Sequence, residues 1–374
     1  MPNSVETWNN KTLDFITHHP ILNADPTLSS EVLAIESAAV FDAIAAIEGH
    51  GGIYTHVEGS GDVNAAVAAA AATVLNEAGA HIKVDTSDPG AAVGSEIARQ
   101  IIDSHPDALD FPPPQNYTGS DEPGQWRPTP PDYLPGLEPE HGDVPPFIIS
   151  NWHDHYNAPP AVGSPEYLAA VQQVQSLGAI DSTTRTPDQT EIAYFWSNDK
   201  GAYTPPGQLD DIAGKLAESH HFGLAETAAL YAELNLAMAD AGIAAWGAKY
   251  EDNLWRPITA IREGLGDKDW TPLLETPNHP ETPSGHATFA GAAQAVLTDV
   301  FGDDVHIVAT SPALPGVVRE FDSVHDLVQE DAISRIYAGV HYEFSAENGL
   351  ATGNSVGQEV LDKVKPVTDW VLSA

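Results

Sequence analysis

Residues 224–246 hold no proline and are rich in Ala, Leu and Glu. Such a run reads as a long helix, because these residues lose least on becoming helical. Alanine-rich stretches with the same spacing recur at 28–47, 63–78, 90–104, 164–177, 209–220, 284–300, 323–338 and 346–364. Ser29 or Ser30 is the candidate N-cap of the 28–47 helix, and Gly49 lies just past its end. The 209–220 helix stops before Gly223, which is placed to open the next one. Alternation with period two is hard to find, so strands should be few and short. The expected fold class is all-α, built as helical bundles.

One region breaks the pattern. Prolines cluster over residues 105–160, including Pro112 to Pro114, Pro130-Pro131 and Pro145-Pro146. That segment should be an irregular loop or cover. Its Trp126, Tyr133, Phe147 and Trp152 argue for packing on the body of the protein, since linkers rarely carry so many large aromatics. The expected organisation is one large helical domain over 1–374. Within it, 1–104 forms N-terminal helices, 105–160 a covering loop, and 161–374 a helical core carrying a site across 249–341.

Composition limits the function. Fifty-four acidic residues face 15 Lys and Arg, a formal net charge of −39. Self-repulsion on that scale weakens a compact state in dilute buffer. Near molar salt the Debye length falls to roughly 3 Å and relieves it, which points to a salt-loaded environment. Binding to nucleic acid or anionic membrane through a basic surface is not expected of so acidic a chain. There is no cysteine, so disulfides, thiol catalysis and cysteinyl metal sites are excluded as well. The first ten residues lack a basic stretch followed by an apolar run, and residues 65–75 are too short to span a bilayer. The expectation is a soluble protein, cytoplasmic or secreted with its leader outside this sequence.

Three ordered segments carry the chemistry: Lys249-Tyr250-Glu251-Asp252-Asn253-Leu254-Trp255-Arg256-Pro257, Pro283-Ser284-Gly285-His286, and Ser334-Arg335-Ile336-Tyr337-Ala338-Gly339-Val340-His341. Together they read as a cradle for a tetrahedral oxyanion. Arg256 and Arg335 offer planar bidentate forks, and Lys249 adds a point charge. Ser284 and the Gly285 N–H donate neutral hydrogen bonds at the start of a helix, where the dipole favours an anion. One histidine can bond the central atom while the other passes protons. Taken singly, each cation could as easily pair with one of the many carboxylates. Three ordered segments together are poorly explained that way.

These segments resemble the signature of the vanadium-dependent haloperoxidases and of the related type 2 phosphatidic acid phosphatases and bacterial acid phosphatases. In that signature six residues separate a Lys from Arg-Pro, followed by Pro-Ser-Gly-His and then Ser-Arg before a His. The likeness to the haloperoxidase branch reaches further, through Phe195-Trp196, Thr204-Pro205-Pro206-Gly207 and Asp240-Ala241-Gly242-Ile243 to Trp8-Asn9 and Phe41-Asp42-Ala43-Ile44. The resemblance implies a vanadate cofactor bound through His341, with phosphate able to take its place. It implies His286 as the acid–base group, with Lys249, Arg256, Arg335, Ser284 and Gly285 around the oxygens. Hydrogen peroxide, a halide and a small organic molecule would be the partners, and hypohalous acid the product. Lys249 would polarise bound peroxide, and the metal would act as a Lewis acid without changing oxidation state.

Trp246 and His279 resemble the halide-side residues of the family. Fungal chloroperoxidases have Phe at the second position and algal bromoperoxidases have His, so the resemblance favours bromide. Core packing for Trp246 and a loop setting for His279 stand as alternatives. Ser345 occupies a position where some relatives carry Asp, which leaves Glu343 and Glu347 as candidates to orient His341. A phosphatase working through a phosphohistidine at His341 fits the same pocket, and so does a non-catalytic oxyanion-binding helical protein. His153-Asp154-His155 is a weak candidate metal site. His18-His19 and His220-His221 sit at apparent helix ends. Trp126-Arg127-Pro128 repeats the Arg-Pro pair without its Lys and reads as structural.

Overall fold

The computed structural model describes residues 2–111, 115–198 and 201–372. Its helices are α1 (Ser4–His18), α2 (Pro26–Glu48), α3 (Val63–Glu77), α4 (Pro89–Ser104), α5 (Pro165–Leu177), α6 (Pro187–Phe195), α7 (Thr204–Ser219), α8 (Leu224–Asp252), the single turn α9 (Pro257–Thr259), α10 (Gly285–Phe301), α11 (Val324–Tyr337) and α12 (Glu343–Leu372). Among the described residues the only sheet is a hairpin, β1 (Ile307–Thr310) antiparallel to β2 (Val318–Phe321), with Ile307 opposite Phe321. The fold is all-α.

Helix α2 is buried on every side from Thr27 to Ala46, and α8 nearly so from Thr227 to Trp246. Helices apolar all round belong at the centre, and these two pack on each other. The start of α2 lies earlier than its serines suggest. Asp25 is the N-cap, accepting the N–H groups of Thr27 (3.0 Å) and Leu28 (3.1 Å), and Pro26 takes the first helical position. Ser29 and Ser30 turn their hydroxyls back to the Pro26 and Thr27 carbonyls instead.

Small residues set the second important contact. A Cβ on Gly353 of α12 would come within 1.9 Å of the Thr288 carbonyl oxygen of α10, and one on Gly291 of α10 within 2.3 Å of the Leu350 carbonyl oxygen. Only glycine permits backbones this close. Helix α12 also runs on through Pro366 to Leu372, beyond the expected end at 364. Proline costs one helical hydrogen bond. Burial of Thr368, with its hydroxyl on Glu233, and stacking of Trp370 on His50 at 4.0 Å offset that loss.

The proline-rich segment lies on this body, although Pro112–Pro114 fall outside the described residues. Asp240 of α8 accepts the N–H groups of Phe147, Ile148 and Ile149 at 2.7, 2.9 and 2.8 Å. Trp126 is fully buried, and its backbone N–H donates to the Asn253 carbonyl at 2.7 Å. Tyr133 does not pack inward. It is 63% exposed, at the rim of a cavity. None of the described helices is long and apolar enough to cross a membrane.

Candidate active site

The three segments meet where five helices begin or end. Lys249 lies in the last turn of α8, which Asn253 closes in the left-handed conformation (φ 48°). The reversed chain then brings Arg256 to the N-cap of α9. Ser284 is the N-cap of α10 and Gly285 its first residue. Arg335 sits in the last turn of α11, and Gly339 (φ 83°) turns the chain so that His341 precedes α12. The close α10–α12 packing ties these ends together, with the Ser284 N–H donating to the Ser345 carbonyl at 3.0 Å.

Lys249 and Arg256 are fully buried. Lys249 Nζ donates to the carbonyls of Pro280 and Glu281, both at 3.1 Å, and to that of Pro283. Arg256 donates from Nε to the His279 carbonyl (2.8 Å) and from Nη1 to the Val340 carbonyl (2.8 Å) and His341 Nε2 (3.1 Å). Its Nη2 reaches His279 Nδ1 at 3.0 Å. Every one of these acceptors is uncharged. Burial, then mutual repulsion, holds Lys249 well below its ordinary pKa, while Glu281 opposes the shift. Arg256 is lowered to about 9, mainly by burial.

The two catalytic candidates are neutral imidazoles. Burial first, then the nearby cations, holds His341 and His286 well below the ordinary value. His286 Nε2 lies 3.0 Å from the carbonyl of Trp196, the C-cap of α6. A carbonyl can only accept, so Nε2 carries the hydrogen and Nδ1 keeps the lone pair. His341 has the opposite arrangement. Its Nδ1 faces Glu281 Oε1 at 2.9 Å, and its Nε2 accepts from Arg256. Burial pushes Glu281 up to about 7, against the pull of Arg256.

A cavity of about 530 Å³ opens onto this cluster, lined in part by Trp246, His279, Gly285, His286, Arg335 and His341. Lys249, Arg256 and Ser284 stand behind that wall. Trp246 donates from Nε1 to the Leu137 carbonyl at 3.1 Å, and its ring meets that of His279 with centroids 4.8 Å apart. His279 is thus buried against Trp246 and Arg256, not displayed on an open loop.

The residues fit a bound oxyanion. Ser284 Oγ is buried without a hydrogen-bond partner among the described residues. A hydroxyl in that state is short of an acceptor, and an anion oxygen would supply one. A Cβ on Gly285 would lie 3.3 Å from the Trp246 ring and crowd the same corner.

Sequence reasoning missed Glu281. It assigned no carboxylate to orient His341; Glu343 and Glu347, the two that it named as possible, both face solvent. Glu281 reaches His341 from a loop sixty residues earlier, a distance at which no periodic signal exists. The Trp196 carbonyl was hidden for a similar reason, since backbone groups have no sequence signature. His153 and His155 belong to no group of three or more His, Asp or Glu side chains, among the described residues, that could hold a metal ion. His155 joins Ser355 Oγ (2.8 Å) and Glu359 (2.9 Å), fastening the cover to α12. His18 Nδ1 and His220 Nδ1 bond the helical carbonyls of Asp14 and Leu216. Arg127 pairs with Glu263 at 3.1 Å.

Comparison with known proteins adds independent support. Residues 229–369 match the family described as VCPO second helical-bundle domain. The vanadium chloroperoxidase of Curvularia inaequalis is 28% identical over 321 residues, which cover 63% of this chain and 52% of that protein. The chain therefore spans about half the length of that curated relative. The crystal structure of the first bacterial vanadium-dependent iodoperoxidase superposes with a TM-score of 0.82 at 26% identity, covering 96% of each chain. A holo-type bacterial vanadium-dependent chloroperoxidase shares the fold, with a TM-score of 0.77 at 18% identity over 95% of this chain and 96% of that one. A matching domain over 229–369, a fold shared end to end and the three motif segments drawn around one cavity make the chain similar to the vanadium-dependent haloperoxidases.

Proposed function

We propose that the protein is a vanadate-dependent peroxidase that oxidises a halide, bromide in preference to chloride, to hypohalous acid with hydrogen peroxide. The observation that carries this reading is the pair of fully buried cations, Lys249 and Arg256, whose donors end on neutral acceptors beside His341. The one carboxyl acting on both, Glu281, is itself pushed up to about 7 by burial, and buried charge that is not balanced is costly. An oxyanion in the cavity would offset that cost.

The residues divide the work. His341 would hold vanadate through Nε2, and Arg256, Arg335, Ser284, Gly285 and Lys249 would bind its oxygens. Arg256 and Lys249 must exchange at least one present partner to do so. Bound vanadate supplies a Lewis acid that makes peroxide electrophilic. His286, with its Nδ1 lone pair free, takes up and returns a proton as X⁻, H₂O₂ and H⁺ become HOX and H₂O. His279 and Trp246 would flank the halide. The polar His279 ring supports the bromide assignment, and iodide, which is easier to oxidise, would also react.

A paired assay tests this. One arm follows halide oxidation with peroxide and vanadate, with bromide, chloride and iodide in turn. The other follows phosphate release from an aryl phosphate. Vanadate-dependent bromination that vanishes in His341→Ala is expected. Phosphate release alone would mean a phosphatase acting through His341, and neither activity a non-catalytic oxyanion binder.

A further inference from the structure

Glu281 is fully buried, sits between prolines, and has no part in the chemistry assigned above. Its Oε1 accepts two N–H groups at 2.9 Å, one from His341 Nδ1 and one from the backbone of Tyr342. On the far side of the ring, Arg256 Nη1 stands 3.1 Å from Nε2. A guanidinium has hydrogens to give and no lone pair to offer. Both flanks of the imidazole therefore demand the same tautomer, with hydrogen on Nδ1 and a lone pair on Nε2.

The loop that carries Glu281 is itself pinned. Lys249 holds the carbonyls of Pro280, of Glu281 itself and of Pro283. The Glu281 N–H donates to the Leu254 carbonyl at 2.9 Å, and the Ser284 N–H to the Ser345 carbonyl at 3.0 Å. Ser345 stands four residues beyond His341, and Glu343 and Glu347 point to solvent, so no carboxylate on α12 is placed to reach the ring.

We infer that Glu281 is a positioning residue that locks His341 as its Nδ1–H tautomer and aims the Nε2 lone pair at the oxyanion. The inference deepens the proposed function, and only the identity of the anion rests on that reading. A carboxylate behind a ligating imidazole fixes ring orientation, and losing such a partner typically weakens binding of the ligated group by 10–100-fold.

The test uses the full chain with ¹⁵N-labelled histidine, the His341 signals being identified by their loss in His341→Ala. Wild type should show Nδ1 protonated and Nε2 bare. Glu281→Gln keeps an acceptor oxygen for both N–H groups and should keep that spectrum. Glu281→Leu should lose the single tautomer and bind inorganic phosphate roughly 10–100-fold more weakly by calorimetry. Wild type protonated on Nε2 would overturn the inference. So would Glu281→Leu with an unchanged tautomer and affinity, or Glu281→Gln as impaired as Glu281→Leu. If Glu281→Leu does not fold, the wild-type and Glu281→Gln spectra decide. If wild type binds neither phosphate nor vanadate yet shows the Nδ1–H tautomer, the proposed function fails and the aim at an oxyanion with it, while the tautomer lock by Glu281 stands.

Discussion

Ser284 separates stability from binding at the level of a single residue. Its hydroxyl has no partner among the described residues, and it does not cap α10 through its side chain. Ser284→Ala therefore removes no internal hydrogen bond and should change stability by no more than about 0.5 kcal/mol. A hydrogen bond to an anion is worth about 1.5 kcal/mol or more, so phosphate affinity should fall roughly tenfold. Thermal unfolding and calorimetry on the same variant would check both halves. At this scale the cations, glycine and histidines were legible because three dense motifs name them. Glu281 was not, because a loop carboxylate declares its partner only once the chain has folded. Nor were the neutral partners of Lys249 and Arg256, since carbonyl oxygens belong to every residue.

Among the elements, α10 and α12 matter most, because one begins at Ser284 and the other just after His341. Their separation is set by glycines, so Gly353→Ala must push the Thr288 carbonyl away. Overpacking of this kind costs about 1–3 kcal/mol. The two ends of the site should also part, lowering vanadate affinity together with the denaturation midpoint; a variant that loses stability alone would show that the helix ends are held independently. The long alanine-rich helices were legible from period and composition. Helices α1 and α6 were not, being of mixed composition with no alanine-rich run. Helix α12 outran its expected end because burial of Thr368 and stacking of Trp370 outweigh Pro366.

For the whole molecule, charge decides the response to solution conditions. Burial raises several core carboxyls: Glu36 to about 8, and Asp210, Glu233 and Asp331 to about 7. In the unfolded chain they ionise near pH 4. Their contribution to stability is therefore complete below pH 4 and is lost as pH rises through about 7 to 8. Repulsion from the net charge of −39 acts in the same direction. The unfolding temperature should fall between pH 5 and pH 8 in dilute buffer, and molar potassium chloride should recover the part owed to surface repulsion. Calorimetry at both pH values, with and without salt, reads the two contributions separately.

A cationic nest enclosed by a polyanion also reverses the usual rule for charged substrates. Asp132 and Glu275 stand at the mouth of the cavity, so an approaching halide meets an opposing field before it meets Arg335. Inert electrolyte shortens that field's reach and should speed halide capture, where electrostatic guidance elsewhere is weakened by salt. The halide KM should drop as ionic strength climbs. The KM for peroxide, which carries no charge, should hold steady in the same titration.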